Sequence, residues 1–250
     1  ILVEKGGQIK GRRIFFDRKQ VNELLEKAPG SFRLRAVNPD HDMEIGKGRS
    51  KIAAGYGCAS IIDADGKARN SLYRDHLELV KLVHQSPLFS INGGILAQPT
   101  DIVADKSHLA MHYASLVYSD KCIMGMPGTK EHMDDLMTLT AIRFGGEDLL
   151  TESPRVVTMV SPVSPLQFDE MLLNSIEIAA RFKQPIMASP GVAAGTTGPI
   201  DLASNIAMAT AEALGVILIT QMFNPGTPVI FGLQCYGADM TTGNISIGSP

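Results

Sequence analysis

Small and polar residues gather at the ends of short apolar runs, where an enzyme built on parallel strands does its chemistry. Asn92-Gly93-Gly94, Pro127-Gly128, Ser161-Pro162 and Ser189-Pro190-Gly191 each close such a run. The last continues as Val192-Ala193-Ala194-Gly195-Thr196-Thr197-Gly198-Pro199. Residues without bulk let a large, flat ligand approach the backbone, although loops also hold turn residues for their own sake. Ser189, Gly191, Gly195, Thr196 and Thr197 are therefore candidate cradling positions. The Lys of a phosphate loop is missing from this stretch, so a phosphate cradle has little support.

The most polar loop is Gln234-Cys235-Tyr236-Gly237-Ala238-Asp239-Met240-Thr241-Thr242-Gly243-Asn244. Gln234 and Asp239 are its candidate catalytic groups. Asp239 could hold a cation or an ordered water, or simply bond its own turn. Tyr56 and Tyr236 offer aromatic faces to a quaternary ammonium, or else pack at a rim. With Asn92 and Met126 they make up the candidate substrate-binding set. No metal is expected. His108 and His112 stand four apart, but Leu109 occupies the position where a zinc-protease helix needs Glu. His76, His84 and His132 are expected at a surface or interface, and His41, between Asp40 and Asp42, in a solvated charge cluster. Spacing supports no Ser-His-Asp set.

Positioning these groups takes repeated β-then-α units. Apolar runs at Cys58–Ile62, Leu88–Ile91, Cys122–Met126, Val156–Val160, Pro185–Ala188 and Val229–Phe231 recur at intervals of about thirty residues, the size of a βαβ unit. They are continuous rather than alternating, as strands covered on both faces are. Between them, helical periodicity places Leu72, His76, Leu79, Val80 and Val83 on one face. The next helices carry Leu109, Tyr113, Leu116 and Val117, then Met133, Leu136, Met137 and Ile142 behind a Thr129 cap, then Phe168, Leu172, Ile176 and Ala180. Gly215–Thr220 has strand propensity, yet a strand there would leave only a hairpin link to Val229. Leu202 to about Phe223 is therefore read as one buried helix, stopped by Asn224-Pro225-Gly226.

The fold class that follows is α/β: a (β/α)8 TIM-type barrel of which about six βα units are present, with about two more expected beyond Pro250. Residues 58–250 would form the truncated barrel. Residues 1–57 would form an α+β segment covering its N-terminal end, with a hairpin over Gly6–Phe16, a helix over Arg18–Ala28 and a strand over Phe32–Val37. The net charge of −3 argues against nucleic acid. No apolar run is expected to span a membrane. Three scattered cysteines suggest neither disulfides nor a zinc motif, and point to a reducing, cytoplasmic setting. No dinucleotide fingerprint is present.

Several ordered motifs resemble the trimethylamine methyltransferase family: Gly55-Tyr56-Gly57 leading to Ile62-Asp63, Asn92-Gly93-Gly94, Ser119-Asp120-Lys121, Ser189-Pro190-Gly191 to Pro199, Asn224-Pro225-Gly226-Thr227-Pro228-Val229-Ile230-Phe231-Gly232, and Ala238-Asp239-Met240-Thr241-Thr242-Gly243 with Ile247-Gly248-Ser249-Pro250. The resemblance implies an α/β-barrel enzyme that moves a methyl group from a methylated amine to the Co(I) of a corrinoid (cobalamin) carried by a cognate partner protein. Glycine betaine or another quaternary amine is preferred as substrate over trimethylamine. The pyrrolysine of the trimethylamine enzymes would fall beyond Pro250. A homo-oligomer is expected. The alternatives are a barrel that binds a corrinoid or methylated amine without turnover, and an unrelated aldolase-type barrel. The latter would want a Schiff-base lysine at a strand end, whereas Lys121 precedes its strand.

Overall fold

A computed structural model of the chain describes residues 2–48, 50–57, 59–239 and 241–246. Parallel strands alternate with helices, and the chain divides into two compact units, Gly30–Thr158 and Ile1–Pro29 with Met159–Pro250.

The chain opens with an antiparallel hairpin, β1 (Gln8–Lys10) and β2 (Arg13–Phe15), followed by α1 (Arg18–Leu25). Asp17 starts that helix with a reciprocal cap: its carboxylate accepts from the Gln20 N–H, and the Gln20 side chain accepts from the Asp17 N–H.

In the Gly30–Thr158 unit, β3 (Phe32–Leu34) pairs antiparallel with β4 (Met43–Ile45), and β5 (Ser60–Ile62) with β6 (Ala68–Asn70). α2 (Tyr73–Gln85), β7 (Ile91–Gly93), α3 (Ala104–Tyr118), β8 (Cys122–Gly125), α4 (Lys130–Phe144), α5 (Glu147–Glu152) and β9 (Val156–Val160) follow. β7, β8 and β9 run parallel, with Ile91 opposite Cys122 and Ile123 opposite Val156. All four residues of β8 are buried, which is why its sequence reads as an unbroken apolar run. Val80, Val83, Leu96 and Ala114 form one core cluster, and Met111, Met126 and Leu136 another. Each large side chain so buried contributes about 1.5–3 kcal/mol.

Several expectations change here. Ser60–Ile62 is not a parallel barrel strand. Asp63-Ala64-Asp65-Gly66 turns it straight back onto β6, through Asp63 N–H to Lys67 O and Gly66 N–H to Asp63 O. Ile62 is 74% exposed. The parallel neighbour of Ile91 comes earlier in the chain, at Ala53. Cys58 itself lies outside the described residues. On α3 the buried face is His108, Met111, His112 and Ser115, while Tyr113 and Val117 are exposed. Ile142 on α4 also faces solvent.

In the other unit, α6 (Glu170–Arg181) is capped by Asp169 and leads to β10 (Ile186–Ala188), β11 (Gly191–Ala194), α7 (Leu202–Phe223), β12 (Val229–Phe231), β13 (Gln234–Ala238) and β14 (Ile245–Ser246). β10 and β12 are parallel, Ile186 facing Val229. Gly215–Thr220 is helical, within α7, as the topology required. Gln221 finishes that helix: its amide donates to Thr227 O and accepts from the Gly226 N–H, closing the Asn224-Pro225-Gly226 stop. One correction concerns membranes. By length and composition α7 passes as a membrane-crossing helix. The core helix of a folded domain has the same composition, and α7 packs on α1, α6, β10 and β12 with Glu212 and Gln221 among its buried residues.

Candidate functional site

Of the candidate residues, Tyr56, Asn92 and Met126 belong to the Gly30–Thr158 unit. Asn92 is fully buried on β7, with both ends of its amide in use: Nδ2 donates to Val80 O (2.9 Å) and Oδ1 accepts from the Gly93 N–H (2.8 Å). Met126 follows β8 and sits in the Met111–Leu136 cluster. The Tyr56 hydroxyl donates to Gly125 O at 2.9 Å, and burial pushes its pKa well above the ordinary phenol value. Its ring closes over Gly94, whose φ of +69° favours glycine.

The remaining candidates belong to the other unit. Two stretches read as loops, 191–199 and 234–244, turn out to begin with strands that pair in parallel: Gly191 faces Gln234 and Ala193 faces Tyr236. Gln234 N–H donates to Pro190 O (3.0 Å), and the Tyr236 hydroxyl donates to Gln234 Oε1 (2.8 Å). A Cβ on Gly191 would lie 3.7 Å from Tyr236 Cε2 and 3.9 Å from Ser161 Oγ, ordinary contacts. Ser189, at the end of β10, is buried and its hydroxyl has no hydrogen-bond partner. Thr196 and Thr197 serve the loop itself: Thr197 Oγ1 accepts from the Ala193 N–H, Thr196 Oγ1 donates to Ala193 O, and Gly195 turns between at φ +81°.

Asp239 is exposed and bonds its own turn, accepting from the N–H groups of Thr241 (2.8 Å) and Thr242 (3.3 Å). The Thr241 N–H leads the interactions that hold its carboxyl below the usual range. Met240 and Ile247–Pro250, parts of the motifs noted above, lie outside the described residues.

The histidines differ from expectation because imidazoles with one satisfied nitrogen bury well. His76 bonds Ala97 O, His112 bonds Thr140 Oγ1 at 2.8 Å, and both are buried. Burial first, then the neighbouring His108, lowers the pKa of His112 to about 4. His108 is also buried; its ring stacks on half-buried His132 and meets Asp135 at 3.1 Å. His41 is not in a solvated cluster with its sequence neighbours. It and His84 both approach the carboxylate of Asp120, at 3.0 and 3.3 Å. Beside them is a cleft of about 240 Å³, lined in part by His41, Lys51, Phe89 and Lys121. Lys121 precedes β8, so this cleft is at the strand-start side of the parallel sheet, opposite the strand carboxyl ends at which such sheets bind ligands.

Two features of the second unit were legible in the sequence but unread. Gln234 and Tyr236 are spaced i, i+2, which puts them on one face of a strand. From Gln184 to Pro250 the chain contains no Lys, Arg or His, and its acidic residues there are Asp201, Glu212 and Asp239.

The family model described as trimethylamine methyltransferase (MTTB) matches residues 1–250. The chain is similar to a glycine betaine methyltransferase of Desulfitobacterium hafniense (strain Y51), at 37% identity over 98% of this chain and 51% of the relative. It is similar to a trimethylamine methyltransferase MttB of D. hafniense (strain DSM 10664 / DCB-2), at 30% over 92% of this chain and 46% of the relative. It also resembles a proline betaine:corrinoid methyltransferase of Eubacterium limosum, at 24% over the whole chain and 53% of the relative. The chain thus spans about half the length of the curated relatives it matches.

Proposed function

We infer the function from one premise: the chain belongs to the trimethylamine methyltransferase family. The whole protein moves a methyl group from a methylated amine to a corrinoid presented by a cognate partner protein, and its substrate is a quaternary amine of the glycine betaine type. The observation that carries this reading is the 37% identity to a glycine betaine methyltransferase across 98% of the chain. Relatives named for proline betaine and L-carnitine are also similar to the chain over its whole length, at 24% and 19% identity. A complete (β/α)8 barrel, a homo-oligomeric state and a cytoplasmic location belong to the same proposal.

The corrinoid supplies the nucleophilic metal, which no amino acid can. The chain's own residues bind, orient and keep water away. The strand-end ledge Ser189-Pro190-Gly191 fits a flat macrocycle: Gly191 has no side chain and Ser189 Oγ has no partner. We assign Ser189, Gly191, Gly195, Thr196 and Thr197 to the corrinoid side, the threonines by shaping the loop. Tyr236 and Gln234 serve the amine. Tyr56, Asn92 and Met126 hold the strand ends of their own unit, and Asp239 holds its turn. A quaternary amine departs as a neutral tertiary amine, so the reaction asks for no proton donor. That agrees with a segment lacking histidine.

The test uses the full-length protein, the reduced corrinoid protein and a panel of glycine betaine, proline betaine, carnitine and trimethylamine, following the visible spectrum of the cobalt. Conversion with a quaternary amine, dependent on the corrinoid acceptor, is expected. No spectral change with any member of the panel would overturn the reading.

A further inference from the structure

Tyr236 and Gln234 form a locked pair. The phenol hydroxyl donates to Gln234 Oε1, so the amide oxygen is engaged and the amide plane is held. The Nε2 group, with its two N–H donors, has no partner among the described residues. Both side chains are half-buried, open enough to meet a ligand. On the neighbouring strand Gly191 leaves the Tyr236 ring bordering the space that a side chain would fill, with Ser161 Oγ on another side. The strands that carry this arrangement belong to a segment, Gln184–Pro250, without one cationic side chain.

These facts suit one kind of ligand. An aromatic face attracts a quaternary ammonium through its quadrupole, and no neighbouring cation of the segment competes for the ring. A zwitterion such as a betaine also brings a carboxylate, only a few bonds from its ammonium. An Arg or Lys placed to bind that carboxylate would stand close to the ammonium and repel it. A neutral amide donor bonds the carboxylate without that cost.

We propose that Tyr236 and Gln234 together read a zwitterionic quaternary amine, the Tyr236 ring taking the ammonium and Gln234 Nε2 donating to the carboxylate. Tyr236 has a second role as a positioning residue, since its hydroxyl sets the direction of the amide. This rests on the amine-methyltransferase reading above and adds a determinant of selectivity to it.

The experiment compares glycine betaine with tetramethylammonium, which has the same ammonium and no carboxylate. Methyl transfer is measured on the full-length protein with its corrinoid acceptor, and binding by calorimetry without the acceptor. Gln234→Leu is expected to lower the betaine-to-tetramethylammonium ratio of kcat/KM by about tenfold, through KM, because a donor to a charged acceptor is lost. Gln234→Glu, of the same shape, is expected to lower it further by repelling the carboxylate. Tyr236→Phe keeps the ring and frees the amide, and is expected to lower the ratio by a smaller factor. Tyr236→Leu is expected to weaken binding of both ligands. Equal losses for the two ligands in Gln234→Leu and Gln234→Glu, or an unchanged ratio in all variants, would overturn the proposal. Calorimetry separates the two readings. Betaine binding that Gln234→Leu weakens supports the pair even where no methyl is transferred, and betaine binding equally well to both proteins overturns it whatever the activity.

Discussion

Strand ends in the two units handle polar side chains differently. On β7, both ends of the Asn92 amide are bonded to backbone within the fold. Before β8, buried Lys121 gives its ammonium to three carbonyls, Val83, Ser86 and Phe89, at the end of α2. After β10 and on β13, by contrast, Ser189 Oγ is unpartnered in a buried position and Gln234 has an amide nitrogen to spare. Buried polar groups are normally satisfied. Thr158 Oγ1 within β9 is likewise open, so an open group counts toward a site only where, as at Ser189 and half-buried Gln234, it stands at a strand end beside other candidate residues. A polar residue at a strand end is assigned by the hydrogen bonds it has left.

Glycines sharpen that contrast most. A side chain on Gly57 would overlap the Leu96 carbonyl, a backbone atom that cannot give way. Gly57→Val is expected to cost more than about 3 kcal/mol and to leave little folded protein, as read by circular dichroism. Gly191 meets only ordinary contacts and has no positive φ. Gly191→Trp should melt within a few degrees of the parent while methyl transfer falls by about a hundredfold, since the ring would displace Tyr236 and fill the ledge. Full activity in that variant would remove the ledge from the site. Next in size, Asn92→Ala orphans a buried carbonyl and a buried N–H, for an expected loss of about 2–3 kcal/mol in denaturant unfolding. Gln234→Ala loses only the bond from the half-buried Tyr236 hydroxyl, its amide nitrogen holding nothing in the fold, and is expected to lose about 1 kcal/mol or less. A cost as large as that of Asn92→Ala would place Gln234 in the scaffold.

A further test of the buried side chains is one of pH. His112 has its pKa lowered from 6.5 to about 4 by burial. As pH falls below 6.5, the unfolded chain takes up a proton that the folded chain refuses. The stabilisation from a neutral His112 is therefore complete above pH 6.5 and is lost as pH falls toward 4. His76, lowered in the same direction by burial, adds to the slope. Replacing His112 by Gln, which can still bond Thr140, should flatten stability against pH by about one proton over that window. An unchanged slope would mean that His112 is already charged in the native protein.

Much of the fold was legible because parallel strands covered on both faces read as apolar runs. Cys122–Met126, Val156–Val160, Pro185–Ala188 and Val229–Phe231 hold strands where expected. Leu88–Ile91 does not: Leu88 is an exposed turn residue, and the strand starts only at Ile91 and takes in Asn92 and Gly93. α7 was legible by topology, since a strand at Gly215 could not be joined to Val229 in parallel. Ser60–Ile62 was misread because a turn of Asp and Gly can end a strand or fold it back, and local sequence does not say which. The buried histidines were missed because periodicity counts imidazole as polar, whereas one good acceptor is enough to bury it. The pairing of Gly191–Ala194 with Gln234–Ala238 was hidden for another reason. Glycine and alanine have little strand propensity, and the register is set by a partner some forty residues away. The candidate residues were found as a list; only the structure separates those with spare hydrogen bonds from those without.

The absence of cations from β10 onward has a practical meaning for chemists who label this protein. Trypsin finds no site between Lys183 and Pro250, and amine-reactive cross-linkers and acetylating reagents find no lysine there. A footprint of the ledge needs reagents for other groups. The described cysteine of that region, Cys235, stands between Gln234 and Tyr236 with no disulfide partner. Burial, with Glu212 nearby, keeps its thiol less acidic than usual. A slow thiol reagent tethered there would report on the site from the strand that forms it, while every lysine-directed map left that segment blank.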